Sequence, residues 1–236
     1  MKEKRMYNTI YHSFTKAGIK KAKLLAVLID PDNFDITKST SFLKNIPNAT
    51  THIFVGGSTV EENKTDNLVL ELKKHIKLPL VLFPGDVSQI TNQADGLLFL
   101  SLLSGRNPEY LINQQVKAVS KLKNSTIEVI ATGYILIDGG NISSVASVSK
   151  TQPMSQKNIQ AIVDTAKAGE LLGKKLIYLE AGSGAKFPVG QKIISAVKNE
   201  INIPLIVGGG IKTEKQKQKA YLAGADMVVM GTIFEE

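Results

Sequence analysis

Short, near-continuous apolar runs alternate with amphipathic stretches along the whole chain. The runs are LLAVLID (Leu24–Asp30), HIFVG (His52–Gly56), LPLVLF (Leu78–Phe83), GLLFLSL (Gly96–Leu102), IEVIATGYIL (Ile127–Leu136), KLIYLEA (Lys175–Ala181), IPLIVG (Ile203–Gly208) and DMVVMG (Asp226–Gly231). Runs with so little polar alternation suit parallel strands covered on both faces, because an antiparallel sheet with one wet face alternates apolar and polar residues. Helical spacing lies between most of them, as in TVEENKTDNLVLELKKHI, PEYLINQQVKAVSKL, SQKNIQAIVDTAKAGELL and TEKQKQKAYLAGA. Eight strand–helix units predict an α/β fold, a (β/α)8 TIM barrel. An open doubly wound sheet is the alternative, but no GxGxxG follows the first strand.

The pattern breaks twice. The connection PGDVSQITNQAD (84–95) is rich in Gly, Pro and Asn and reads poorly as a helix, so the third helix is expected to be missing or replaced. After the eighth run only TIFEE remains, so either the closing helix is absent or the segment Met6–Ala17 covers that part of the barrel. No domain boundary, repeat or low-complexity tract is visible. The expected organisation is one barrel domain over residues 1–236, with residues 1–20 an N-terminal helical segment.

Composition narrows the function classes. A chain of 236 residues with 43% apolar residues can bury a single core without staples. Cysteine is absent, which excludes disulfides, thiolate zinc sites and a cysteine nucleophile. Apolar stretches such as Leu97–Leu103, broken by Ser101, fall far short of the roughly 20 residues of a membrane span. The opening MKEKRMYNTIYHSF has no hydrophobic signal region, so a cytoplasmic protein is expected. Net charge is +8, but the lysines are scattered and Arg5 and Arg106 are the only arginines. That pattern fits a solvated basic surface better than nucleic-acid readout, which favours clustered Arg.

Barrel chemistry sits at the C-terminal ends of the strands. No histidine falls there: His12 and His75 lie outside the strands and His52 opens its strand at the opposite mouth. Carboxylates, hydroxyls, backbone amides and a hard metal remain. Three consecutive late strands end in glycine-rich turns, AGSGA, GGGI and GT. Glycine lets backbone N–H groups approach an anion, and loops after the last strands of such barrels often bind phosphate; glycine also simply ends strands at tight turns. Asp30 and Asp32 around Pro31 suit Mg²⁺, which takes one or two carboxylates plus substrate oxygens, although Asp-Pro-Asp is also good turn chemistry. Glu180 lies inside the apolar run LIYLEA, on the same strand face as Tyr178. A carboxylate there is costly unless it is functional or ion-paired.

With Asp30-Pro31-Asp32 after LLAVLI, Gly56-Gly57-Ser58, SGRNPEYLI, YLEAGSGA, VGGGI and MGT, the chain resembles the geranylgeranylglyceryl phosphate synthases, a family that includes the heptaprenylglyceryl phosphate synthases. The resemblance implies a modified barrel lacking its third helix. It implies transfer of a polyprenyl group, geranylgeranyl as in the family's name, from its diphosphate to the primary hydroxyl of sn-glycerol 1-phosphate with Mg²⁺. Residue by residue it implies Mg²⁺ on Asp30 and Ser58. It implies glycerol phosphate on Tyr178, Leu179, Glu180, Ala181, Gly182, Ser183 and Gly184, on Gly209 and Gly210, and on Gly231 and Thr232. Glu180 would act as the base and Tyr178 would orient the glycerol. The family also implies a homo-oligomer, a dimer or a hexamer, and an amphiphilic product implies peripheral membrane contact at release. After SGRNPEYLI this chain carries Asn113-Gln114-Gln115 where family members tend to have Gly and His, so neither these residues nor Arg106 receives a role. The rival readings are a sugar-phosphate isomerase or lyase on the same barrel, which would need a proton-shuttling acid/base pair and no prenyl substrate, and a non-enzymatic anion or nucleic-acid binder.

Overall fold

The computed structural model describes residues 10–20 and 22–231. Eight strands, β1 (Leu24–Ile29), β2 (His52–Val55), β3 (Leu80–Leu82), β4 (Gly96–Leu102), β5 (Glu128–Leu136), β6 (Leu176–Glu180), β7 (Leu205–Gly208) and β8 (Met227–Met230), pair in chain order, all parallel, and β8 closes on β1. The expected TIM barrel is present, and every predicted run contains its strand.

Strand alternation sorts the side chains. On β6, Leu176 and Tyr178 point into the barrel with Phe54, Tyr134 and Ile206, while Ile177 and Leu179 point outward under the helices. The register sets Leu136 of β5, Glu180 of β6 and Gly208 of β7 side by side. The outer layer is α2 (Ser39–Asn45), α3 (Lys64–His75), α4 (Gln114–Leu122), α5 (Ser144–Ser149), α6 (Ile159–Leu171), α7 (Gln191–Glu200) and α8 (Glu214–Leu222). On α3, Thr65, Leu68, Val69 and Leu72 recur at helical spacing and form the buried face. A capping box of Thr213 and Gln216 starts α8.

Between β3 and β4 the chain makes a single 3-10 turn, Val87–Gln89, where other units carry a helix. The Asp86 carboxylate starts it by accepting from the Ser88 N–H at 2.6 Å. The loss of the third helix expected from the sequence is thus observed.

The N-terminal helix α1 (Ile10–Lys20) closes the other mouth. Its first amides, Ile10 and Tyr11, donate to the Glu128 carboxylate at 2.6 and 3.0 Å, a charge favourable at a helix N-terminus. Ile10 fills the space a side chain at Gly96 would need, with Cδ1 2.6 Å from that Cβ position. Phe14 packs on the His52 ring, centroids 5.2 Å apart, and Ser13 Oγ lies 3.3 Å from His52 Nε2. The segment is therefore a floor under the barrel, not the cover beyond the eighth strand that was one of the two alternatives the sequence left open. His52 has the structural role that its position at the strand's N-terminal end implied.

Candidate active site

A cavity of about 450 Å³ opens at the C-terminal ends of the strands. One end is polar, lined by Asp30, Ser58, Tyr178, Glu180 and the glycine turns after β6, β7 and β8. The other is largely apolar, lined by Phe83, Val87, Ile90, Leu100, Tyr110 and Ala118. It runs toward the gap left by the missing helix, because Val87 and Ile90 belong to or follow the short turn that replaces it.

Glu180 ends β6 and is 6% exposed. Burial pushes its carboxyl up to about 7, and the Gly182 N–H, donating to Oε1 at 2.7 Å, offsets only part of that rise. No cation pairs with it among the described residues, so the structural ion-pair reading falls. Its space exists because Gly208 faces inward beside it. A Cβ at Gly208 would lie 2.3 Å from the Tyr178 hydroxyl and 2.8 Å from Glu180 Oε2. Tyr178 is fully buried, and its hydroxyl stands by the carboxylate without a well-directed hydrogen bond. Its ring stacks on Phe83 at 5.0 Å and 11°, and Tyr134 tilts against both. Burial and the nearby Glu180 charge hold both tyrosine hydroxyls well above their usual range, so they stay protonated.

The glycine turns have the backbone an anion cradle needs. Gly182, Gly184, Gly209 and Gly210 have φ of 96°, 68°, 78° and 68°, the left-handed region that favours glycine. Gly182 directs its N–H to Glu180, while the amides of Ser183, Gly184, Gly209 and Gly210 donate to no described acceptor. At Gly209 a Cβ would sit 2.2 Å from Glu180 Oε1, so this turn must be bare for the carboxylate to fit.

At the far side of the polar end, Asp30 follows β1. Its carboxylate accepts from the Asp32 N–H at 3.0 Å and from Asn33 Nδ2 at 3.1 Å, and burial holds its carboxyl above the usual range. Asp32 turns to Lys64 at 3.2 Å and accepts from the Glu61 N–H, and Asp30 and Ser58 both line the cavity. No cluster of three or more His, Cys, Asp or Glu able to hold a metal occurs among the described residues. One carboxylate and one hydroxyl fit Mg²⁺, which completes its shell with water and phosphate oxygens.

A profile of the PcrB family matches residues 18–236. The chain belongs to the PcrB family. It is 56% identical to the geranylgeranylglyceryl phosphate synthase of Zunongwangia profunda, over 96% of this chain and 97% of the relative. To the synthase of the same name from Flavobacterium johnsoniae it is 52% identical, over 99% and 96%. Among solved structures, (S)-3-O-geranylgeranylglyceryl phosphate synthase from Thermoplasma acidophilum, in complex with its substrate sn-glycerol-1-phosphate, matches with a TM-score of 0.89 at 32% identity, over 97% of this chain and 92% of that one.

Within this PcrB fold, most residues singled out in the sequence meet at one cavity: Asp30, Ser58, Tyr178, Glu180, Gly182, Ser183, Gly184, Gly209, Gly210 and Gly231 all line it. Leu179 and Ala181 do not. They alternate to the outer face and pack under the helices, so the expected substrate contact loses their side chains. Thr232 lies outside the described residues. Among the lining residues that went without a role in the sequence are Tyr134 and Phe83. Tyr134 sits at the period-two spacing that also places Leu136 inward, which was a usable signal; nothing local marks Phe83.

Proposed function

We propose that this protein transfers a polyprenyl group from its diphosphate to the primary hydroxyl of sn-glycerol 1-phosphate, forming an ether and releasing diphosphate. The observation that carries the reading is Glu180, a buried, unpaired carboxyl at about 7 between a bare glycine rim and an apolar channel. The rim supplies amides and positive φ for a phosphate dianion. The apolar stretch past Phe83 and Val87 suits a prenyl tail, whose burial stabilises by about 25 cal/mol per Å². Holding both substrates across Glu180 makes their encounter an oriented one.

In the reaction the glycerol oxygen forms a bond to the first prenyl carbon. The bond from that carbon to diphosphate breaks, and diphosphate leaves with the electron pair. Glu180 takes the hydroxyl proton, for which a carboxyl near 7 is matched to neutral pH. The Phe83, Tyr134 and Tyr178 rings, clustered with centroids 5.0–5.8 Å apart on the cavity wall, would stabilise the positive charge that develops on the allylic carbon. Asp30 and Ser58 would hold Mg²⁺, and the chemistry a bound Mg²⁺ supplies is neutralisation of the departing diphosphate. The ether product leaves with its phosphate dianion as the head of an apolar tail, which implies peripheral contact with a membrane. The exposed Ile112, Val116 and Val119 lie on the same segment as the cavity-lining Tyr110 and Ala118 and offer apolar surface for that contact.

The test is an assay with labelled sn-glycerol 1-phosphate against prenyl diphosphates of graded length, with Mg²⁺ and with chelator. Product formation that needs both substrates and is lost in Glu180→Gln supports the proposal. Isomerase or lyase turnover of a sugar phosphate without prenyl diphosphate would replace it with the rival barrel reading.

A further inference from the structure

We infer that Gln89 is a positioning residue for the diphosphate end of the site, acting through the backbone of Gly57. The inference rests on the reading of Asp30 and Ser58 as that end. Gln89 closes the 3-10 turn that stands in for the third helix, and it is 2% exposed although it carries a polar amide. Burying a primary amide is costly unless both its ends are satisfied. Here both ends go to one residue: Oε1 accepts from the Gly57 N–H at 3.2 Å, and Nε2 donates to the Gly57 carbonyl at 2.8 Å. A two-point grip on one residue fixes the height and the rotation of that stretch of backbone together.

What Gly57 touches gives the grip its consequence. A Cβ at Gly57 would lie 2.7–2.8 Å from all three terminal atoms of the Asp30 side chain, so the bare Gly57 backbone forms one wall of that carboxylate. The next residue is Ser58. Moving Gly57 by a few tenths of an ångström therefore shifts the wall of Asp30 and the hydroxyl of Ser58 at once. The turn that carries Gln89 is itself anchored from α4, where Gln114 Oε1 accepts from the Val87 N–H at 3.2 Å. On its other side Val87 and Ile90 line the apolar stretch. The segment that replaced a helix thus touches the tail channel with its apolar residues and the Asp30–Ser58 end with its one buried amide.

Gln89→Leu removes both bonds at similar volume. Gln89→Glu keeps the acceptor for Gly57 N–H and turns the donor into an oxygen facing the Gly57 carbonyl; it decides the matter if the Leu variant does not fold. Asp30→Ala is the control. The probe is Mn²⁺ with inorganic pyrophosphate, its dissociation constant read calorimetrically on the full chain, beside the dissociation constant for glycerol 1-phosphate and the KM of each substrate. The expected result is a tenfold or greater weakening of Mn²⁺–pyrophosphate, a similar rise in KM for prenyl diphosphate, and glycerol 1-phosphate binding within twofold of wild type. Equal weakening of both ligands would mean that Gln89 only supports the fold, and it overturns the inference. Wild-type pyrophosphate binding in the Gln89 variants, with loss in Asp30→Ala, overturns it while leaving the role of Asp30 intact. Wild-type binding in Asp30→Ala as well removes the reading on which it rests.

Discussion

Replacing Glu180 by Gln should make the protein more stable and nearly inactive, and the size of the gain follows from burial. Gln keeps the side-chain volume and an oxygen to accept from the Gly182 N–H, but it cannot ionise. The wild-type carboxyl rises from 4.5 to about 7 on folding. Between those values the folded protein holds a proton that the unfolded chain has released, so stability falls as pH rises through that window. At about 1.4 kcal/mol per unit, the loss reaches about 3 kcal/mol at pH 8. His52 acts in the opposite sense: burial lowers it from 6.5 to about 4, so its contribution is present above 6.5 and is lost as pH falls toward 4. These two slopes oppose each other between pH 4.5 and 6.5 and cancel.

The variant should therefore exceed wild type by about 3 kcal/mol at pH 8 and match it near pH 4. It should also gain stability between pH 4.5 and 6.5, where the two wild-type contributions cancel. Urea unfolding at half-unit pH steps measures this, and the difference between the two proteins removes every group they share. Near pH 8 the gain corresponds to roughly 6–12 °C in melting temperature for a chain of this size. Turnover should drop by about 10²–10⁴-fold, the usual contribution of a positioned base. Equal stability of variant and wild type at pH 8 would show that the carboxyl is solvated in the folded protein, and the assignment of Glu180 as a base tuned by burial would fall with it.

Because that base must be ionised, kcat/KM in wild type should climb with pH through about 7 and then level; a profile flat from pH 5 to 9 would contradict it. Asp30→Ala should raise the Mg²⁺ concentration needed for half-maximal rate by about tenfold or more, a typical loss when a metal site is weakened; an unchanged Mg²⁺ titration removes Asp30 from the metal. Gly208→Ala puts a Cβ 2.3 Å from the Tyr178 hydroxyl, so it should cost about 1–3 kcal/mol of stability and most of the activity, read by denaturation and by the transfer assay. Glu128→Ala removes the acceptor for the first two amides of α1 and should cost about 1–2 kcal/mol, with faster proteolysis near residue 10 and little change in KM.

The barrel was legible because parallel strands under helices leave continuous apolar runs, a pattern that survives without any knowledge of contacts. Boundaries were less so. The stretch 59–76 reads as one helix, but Asn63 adopts a left-handed φ of 66° and α3 starts only after it, a backbone event that periodicity does not register. The floor was hidden for a different reason: Ile10, Gly96 and Glu128 meet only in three dimensions, and nothing near Gly96 says that its missing side chain makes room for Ile10. In the site, Glu180 was legible because a carboxylate in an apolar run is expensive wherever it folds. Leu179 and Ala181 entered with their neighbours because a contiguous motif carries every residue it spans, whereas a strand sends every second one to the far face.

The glycines of the late turns were read as a place for phosphate, but two of them, Gly208 and Gly209, and also Gly57 have a packing use. Asp30, after β1, rests against the bare Cα of Gly57, after β2. Glu180, at the end of β6, rests against Gly208 and Gly209, at and after the end of β7. In each case an acid at the mouth of one strand takes the volume that a side chain on the next strand would have filled. Parallel register makes the device repeatable, since it sets the ends of neighbouring strands side by side. An acid lodged in this way is shielded from water on one flank by backbone, which raises its proton affinity, and it stays open to the cavity on the other. Both carboxyls are raised by burial, Glu180 the further because it is the more enclosed. The difference suits the tasks proposed for them: a base must hold and release a proton near neutral pH, whereas a metal ligand must stay ionised.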